Sequence, residues 1–145
     1  MKLKQKKVLR KLLTTPSVLE SQAIADAMAQ AGRVIAVDLD GTLAGDSGGW
    51  KGFGHIGKPV PKVVAWLRKE KKAGSRIVLF TCRITTLDNK ILPLSLDTIR
   101  KWVKKHKVPM DEIWMAAGKP WATIYLDDKA ANPYCVQCCS RTGLS

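Results

Sequence analysis

Asp38-Leu39-Asp40-Gly41-Thr42 places two carboxylates two residues apart, directly after the apolar run Val34-Ile35-Ala36-Val37. A second apolar run, Ile77-Val78-Leu79-Phe80, leads into Thr81-Cys82-Arg83, and a third, Ile124-Tyr125-Leu126, leads into Asp127-Asp128. Lys119, in Gly118-Lys119-Pro120, stands shortly before the third run. Short continuous apolar runs read as strands buried on both faces of a parallel sheet, and open α/β sheets bind ligands at the C-terminal edge of such strands. Four carboxylates, a hydroxyl, an arginine and a lysine are thus expected at one edge. Carboxylates packed together raise one another's pKa unless a cation lies between them. An all-oxygen set suits Mg²⁺ better than a softer metal, and Mg²⁺ also binds phosphate oxygens. Any one acid alone reads as a turn or cap residue; Asp128, for example, could cap a helix beginning near Lys129. Three strand ends bearing polar groups together read instead as a shared anionic metal site.

The elements that position these groups follow from hydrophobic spacing. Val60, Val63, Val64 and Leu67 mark a helix closed by Gly74, and Leu92, Leu96, Ile99 and Val103 mark another ending near His106 and Pro109. Ile113-Trp114-Met115 reads as a short strand, and residues 41–57 as a glycine-rich loop. Strands alternating with helices imply right-handed crossovers and an α/β fold: a three-layer α/β/α sandwich around a mainly parallel, Rossmann-like sheet. Residues 1–32 read as a basic helical extension, in which Ser17-Val18-Leu19-Glu20 forms a capping box before an Ala-rich helix stopping at Gly32. A nucleic-acid-binding arm and a transit peptide are the rivals for that segment. Residues 33–134 form the expected catalytic domain, and 135–145 a cysteine-containing tail.

The ordered set of motifs resembles the phosphatases of the haloacid dehalogenase-like (HAD) superfamily. Asp38 to Leu43 looks like the family's DxDGT motif, Thr81 like its second-motif hydroxyl, Lys119 like its third-motif lysine, and Asp127-Asp128 like its acidic fourth motif. The resemblance spans about residues 33 to 133. It implies that Asp38 is the nucleophile, forming an aspartyl-phosphate, and that Asp40 protonates the leaving oxygen and then activates water. It implies Mg²⁺ held by the Asp38 carboxylate, the Asp40 carbonyl and Asp127, with Asp128 a catalytic residue just outside the ligand set. Thr81 and Lys119 would hold phosphate oxygens, and Lys119 would offset the charge of Asp38. Gly41, Thr42, Cys82 and Arg83 are the remaining expected substrate contacts, with Gly41 suited to the tight turn after the nucleophile. Cys82 also reads as a small buried side chain. Arg83 echoes the Ser-Gly-Arg of polynucleotide 3′-phosphatases, with an ordinary loop arginine as the alternative. The response-regulator receiver also uses acids, a Thr and a Lys, but there the paired acids follow the first strand rather than the last.

Relatives in this superfamily often carry a cap domain over the site. Neither residues 43–59 nor residues 83–118 leave room for one, so a capless, open site is expected. Trp50, Lys51 and Phe53 lie on the loop after the first motif, where they could stack on a base or sugar; Trp121 invites the same reading. The chain of 145 residues carries 25 Lys+Arg against 12 Asp+Glu, a net charge of +13, which suits phosphate-bearing partners. Its lysine-rich helix faces, including Lys101 to Lys107, read as solvated. The basic N-terminus lacks the apolar core of a secretory signal, and no apolar run is long enough to span a bilayer. Cys135, Cys138 and Cys139 crowd one end, and the CxxC lacks a second ligand pair for zinc, with His55 and His106 far off in sequence. A cytoplasmic setting without membrane attachment is expected. The expected function is Mg²⁺-dependent hydrolysis of a nucleotide, sugar phosphate or other small phosphomonoester. The alternatives are a polynucleotide 3′-phosphatase-like enzyme and a basic nucleic-acid-binding module with a vestigial site.

Overall fold

The computed structural model describes residues 18–30, 32–45, 48–116 and 118–130. The Lys2–Leu13 stretch, the Ser17 cap and Cys135, Cys138 and Cys139 lie outside them. The chain forms two units, residues 1–32 and residues 33–145. In the first, helix α1 (Val18–Gln30) carries a Gln22–Asp26 side-chain hydrogen bond of 2.8 Å, one helical turn apart.

The second unit is built on β1 (Val34–Val37), α2 (Pro61–Lys72), β2 (Arg76–Leu79), α3 (Pro93–Lys105), β3 (Glu112–Ile113) and β4 (Ile124–Leu126). All strand pairs are parallel, in the order β3-β2-β1-β4. Pro stands in the first turn of both helices, where its missing N–H costs nothing. Helix α2 ends at Ala73, and Gly74 follows in the left-handed region at φ +93°.

Register explains the core. Leu126, Val37, Leu79 and Ile113 form one cross-strand row, and Ile124, Ile35 and Ile77 the row below it. These side chains share one face and cluster with Val64 and Leu67 of α2 and with Leu96, Ile99 and Trp102 of α3. The connections β1-α2-β2 and β2-α3-β3 run in the same direction, and right-handed crossovers then place both helices on the same face. Hydrophobic spacing alone implied helices on both faces; within residues 33–130, α2 and α3 share one. Among the described residues, no helix is long and apolar enough to cross a membrane.

Candidate metal and phosphoryl-transfer site

Because all strands are parallel, β1, β2 and β4 deliver Asp38, Thr81 and Asp127 to one edge. The Asp38 N–H donates to the Leu126 carbonyl at 2.9 Å, extending the ladder one step past β1. The chain then turns on itself: Leu43 N–H donates to the Asp38 carbonyl at 3.2 Å and Ala44 N–H to the Leu39 carbonyl at 2.8 Å. Leu39 and Leu43 are fully buried, which anchors this turn in the core while Asp38 and Asp40 stay partly open to solvent.

Gly41 is required here on two counts. It sits at φ +80°, and a Cβ at that position would lie 2.5 Å from Asp128 Oδ2. The Asp128 carboxylate is fixed over the turn by Thr42, whose hydroxyl accepts the Asp128 N–H at 2.9 Å and donates to Asp128 Oδ1 at 3.3 Å. Thr42, expected as a substrate contact, is buried and occupied in holding Asp128. Lys129 also pairs with Asp128, and its N–H donates to Asp127 Oδ1 at 2.8 Å.

One oxygen each of Asp38, Asp127 and Asp128 lie within 4.8 Å of one another. Burial, with the charges of Asp127, Asp128 and Asp40 adding to it, pushes the Asp38 carboxyl up to about 6. The three carboxylates form a hard, all-oxygen set of potential ligands. Asp128, expected just outside the ligand set, is inside the cluster, whereas the Asp40 carboxylate is not.

Asp40 instead faces Arg83. The guanidinium grips it bidentately, through Nε to Oδ2 and through Nη2 to Oδ1 at 2.7 Å. Its Nη1 donates to the carbonyls of Gly52 at 3.2 Å and Phe53 at 3.3 Å, and its Cζ lies 4.3 Å from the Trp50 ring centre. Arg83 is 3% exposed. Expected as a substrate contact or a loop arginine, it is a buried tie between Asp40 and residues Trp50, Gly52 and Phe53. The arginine itself was visible in the sequence, but nothing local to it marked Asp40 as its partner.

Thr81 caps the short 3₁₀ turn Cys82–Ile84, its hydroxyl accepting the Arg83 N–H at 3.3 Å. Cys82, expected as a small buried side chain, is exposed on that turn. The Lys119 ammonium sits 3.7 Å from the centre of the Tyr125 ring and forms no ion pair among the described residues. The expected offset of Asp38 by Lys119 is thus not formed as a direct contact.

Residues 45–58 are fastened at both ends. Gly45 N–H donates to the Lys58 carbonyl at 2.8 Å, and Trp102 of α3 donates its indole N–H to the Gly57 carbonyl at 2.9 Å. A Cβ on Gly57 would stand 1.9 Å from the Gly45 carbonyl oxygen, which real packing never allows. Gly57→Ala should therefore cost about 2 kcal/mol or more in stability through forced backbone displacement, read as a lowered denaturant midpoint. An unchanged midpoint would show that the pairing of Gly45 with Lys58 is dispensable.

No protein-family profile matches the chain, and no curated protein matches it. It is similar to a structural-genomics target protein from Vibrio cholerae, with 31% identity over 74% of this chain and 88% of that one and a TM-score of 0.48. It is also similar to a conserved protein from Bacteroides thetaiotaomicron, with 21% identity over 67% of this chain and 76% of that one, again at a TM-score of 0.48. Structural similarity at that level carries no assignment.

Proposed function

We propose that the protein is a capless, Mg²⁺-dependent phosphomonoester hydrolase of the HAD-like type, acting through an aspartyl-phosphate on Asp38. The observation that carries this reading is the carboxylate cluster of Asp38, Asp127 and Asp128 at the shared strand edge, with Asp40 beside it but outside it. The three-layer sandwich is the architecture the reading implies; the parallel four-stranded sheet with two helices on one face is its supporting part.

In this reading Asp38, Asp127, Asp128 and the Asp40 carbonyl would hold Mg²⁺, which would supply neutralisation of charge on the phosphoryl group. An Asp38 oxygen attacks phosphorus and the bond from phosphorus to the leaving oxygen breaks. Asp40, protonated from solvent once it has turned out of the Arg83 grip, gives that proton to the leaving oxygen, releasing the alcohol. Asp40, now a carboxylate, takes a proton from water as the water oxygen attacks phosphorus. The bond from phosphorus to Asp38 then breaks, yielding inorganic phosphate and regenerating both carboxyl groups. Thr81 and Lys119 bind phosphate oxygens, Lys119 by leaving its place on Tyr125. Gly41 keeps the turn tight and Thr42 holds Asp128 in place.

Arg83 bears on the proton steps. A bidentate guanidinium suits the carboxylate form of Asp40, the form that accepts a proton from water. Donation to the leaving oxygen requires the carboxyl to turn out of that grip. Arg83 is thus a positioning residue that fixes the resting orientation of Asp40. A second reading, hydrolysis of phosphorylated nucleic-acid ends, draws on Trp50 and Phe53, which are 57% and 50% exposed beside Arg83.

The test is hydrolysis of p-nitrophenyl phosphate by the purified protein. Activity should require Mg²⁺, vanish in EDTA and return when Mg²⁺ is restored. Activity indifferent to EDTA would remove the metal from this account, and no activity under any condition would remove the enzyme.

A further inference from the structure

Beside Asp40, on the side away from the carboxylate cluster, lies a cavity of about 540 Å³, a volume typical of small-molecule sites. Its walls come from Gly45, from residues 49–51 and 55–58, and from the C-terminal end of α3. Lys51, Lys58 and Lys105 line it, and none of them forms an ion pair with a carboxylate among the described residues. Asp40 is the single carboxylate in the lining, and its charge is already met by Arg83.

Among the described residues the lining therefore carries more positive than negative charge. His55 and His106 add imidazole groups able to donate hydrogen bonds to an anion. The back wall is fixed: Trp102 is 8% exposed, is tied to the Gly57 carbonyl, and packs its ring 4.9 Å from that of His106. Lysines with no carboxylate partner among the described residues, gathered around one concavity beside the proposed phosphoryl-transfer site, have a natural counter-ion in the substrate.

Building on the phosphatase reading, we propose that this cavity receives the alcohol portion of the substrate, and that this portion carries a second anionic group, a phosphate or a carboxylate. Position supports the assignment, since Asp40 protonates the leaving oxygen and the chamber opens on the Asp40 side. The preferred substrates are then small bisphosphates or phosphorylated acids, rather than phosphate esters of neutral alcohols.

The test is calorimetric binding to Asp38→Asn, which cannot turn substrate over, using two matched pairs: glycerol phosphate against phosphoglycerate, and fructose monophosphate against fructose bisphosphate. In at least one pair the doubly anionic member should bind about tenfold tighter, as two or three partly exposed charge contacts would give. Adding Lys58→Ala and Lys105→Ala should bring that ratio to about one, and Lys58→Arg with Lys105→Arg should keep most of it. No preference in either pair, or a preference that survives the alanine changes, overturns the proposal. A 3′-phosphorylated oligonucleotide binding tighter than either doubly anionic probe overturns it in favour of nucleic-acid ends. Wild-type hydrolysis of p-nitrophenyl phosphate is scored separately, so a failed phosphatase reading is not confused with a failed cavity assignment.

Discussion

Asp38→Asn is expected to abolish phosphatase activity, by at least about 10⁴-fold in kcat, and at the same time to stabilise the metal-free protein. The first effect follows from loss of the nucleophile. The second follows from electrostatics. Burial together with the neighbouring acids raises the Asp38 pKa from an ordinary 3.8 to about 6, so the folded state holds this proton more tightly than the unfolded chain. Below the ordinary value both states are protonated and nothing is lost. As pH rises from about 4 to about 6 the unfolded chain releases its proton first, and folding stability falls. Above about 6 the full penalty stands. Allowing for solvent around a half-buried group, it is about 1 kcal/mol, or a Tm difference of a few degrees. Metal-free Asp38→Asn should then melt above wild type at pH 7.5 and level with it at pH 4. Mg²⁺ should raise the wild-type Tm and leave that of the variant nearly unchanged. A variant less stable than wild type at pH 7.5 without metal would contradict the crowding of charge at this edge.

Arg83→Lys should also damage activity, less severely and for a different reason. Lysine keeps the charge but cannot grip both Asp40 oxygens while also reaching the Gly52 and Phe53 carbonyls. A stability loss of about 2 kcal/mol is expected from breaking this buried network, less than for a fully buried pair because the Asp40 side chain is 34% exposed. With Asp40 no longer held, kcat/KM should fall about 100-fold, and the pH profile of kcat should change shape because Asp40 serves both proton steps. A variant that melts earlier but keeps the wild-type pH profile and kcat would reduce Arg83 to a structural tie.

The sheet was largely legible in the sequence because its strands are continuous apolar runs. Val34–Val37 and Ile124–Leu126 coincide with theirs, since each ends abruptly at carboxylates. The second strand begins one residue earlier than its apolar run, at Arg76, which pairs with Val34 while its own side chain stays exposed. The third is Glu112–Ile113 rather than Ile113 to Met115. Asp111 sets that start: its backbone N–H donates to the Ile77 carbonyl at 2.9 Å and its carboxylate accepts the Ile77 N–H at 2.8 Å.

The site was legible only as far as strand ends announce it. Parallel strands must bring Asp38 and Asp127 together, so that convergence could be read from order alone. The grip of Arg83 on Asp40 could not, because it depends on how residues 48–57 fold back over the edge. The cavity was hidden for the same reason. In sequence His55 and His106 stand far from the CxxC they would have to join in a zinc site, and Lys105 reads as part of a solvated face. All three line one chamber, because Trp102 ties α3 to the Gly57 carbonyl.

The most direct measurement of the central claim is chemical trapping of the phosphorylated residue. Protein mixed with Mg²⁺ and p-nitrophenyl phosphate would be quenched in acid during turnover, then reduced with borohydride, which converts an aspartyl-phosphate to homoserine. Peptide mass spectrometry should find homoserine at position 38 alone, and none when substrate is omitted. Homoserine at another aspartate, or turnover with none at any position, would contradict the assignment of Asp38 as the nucleophile.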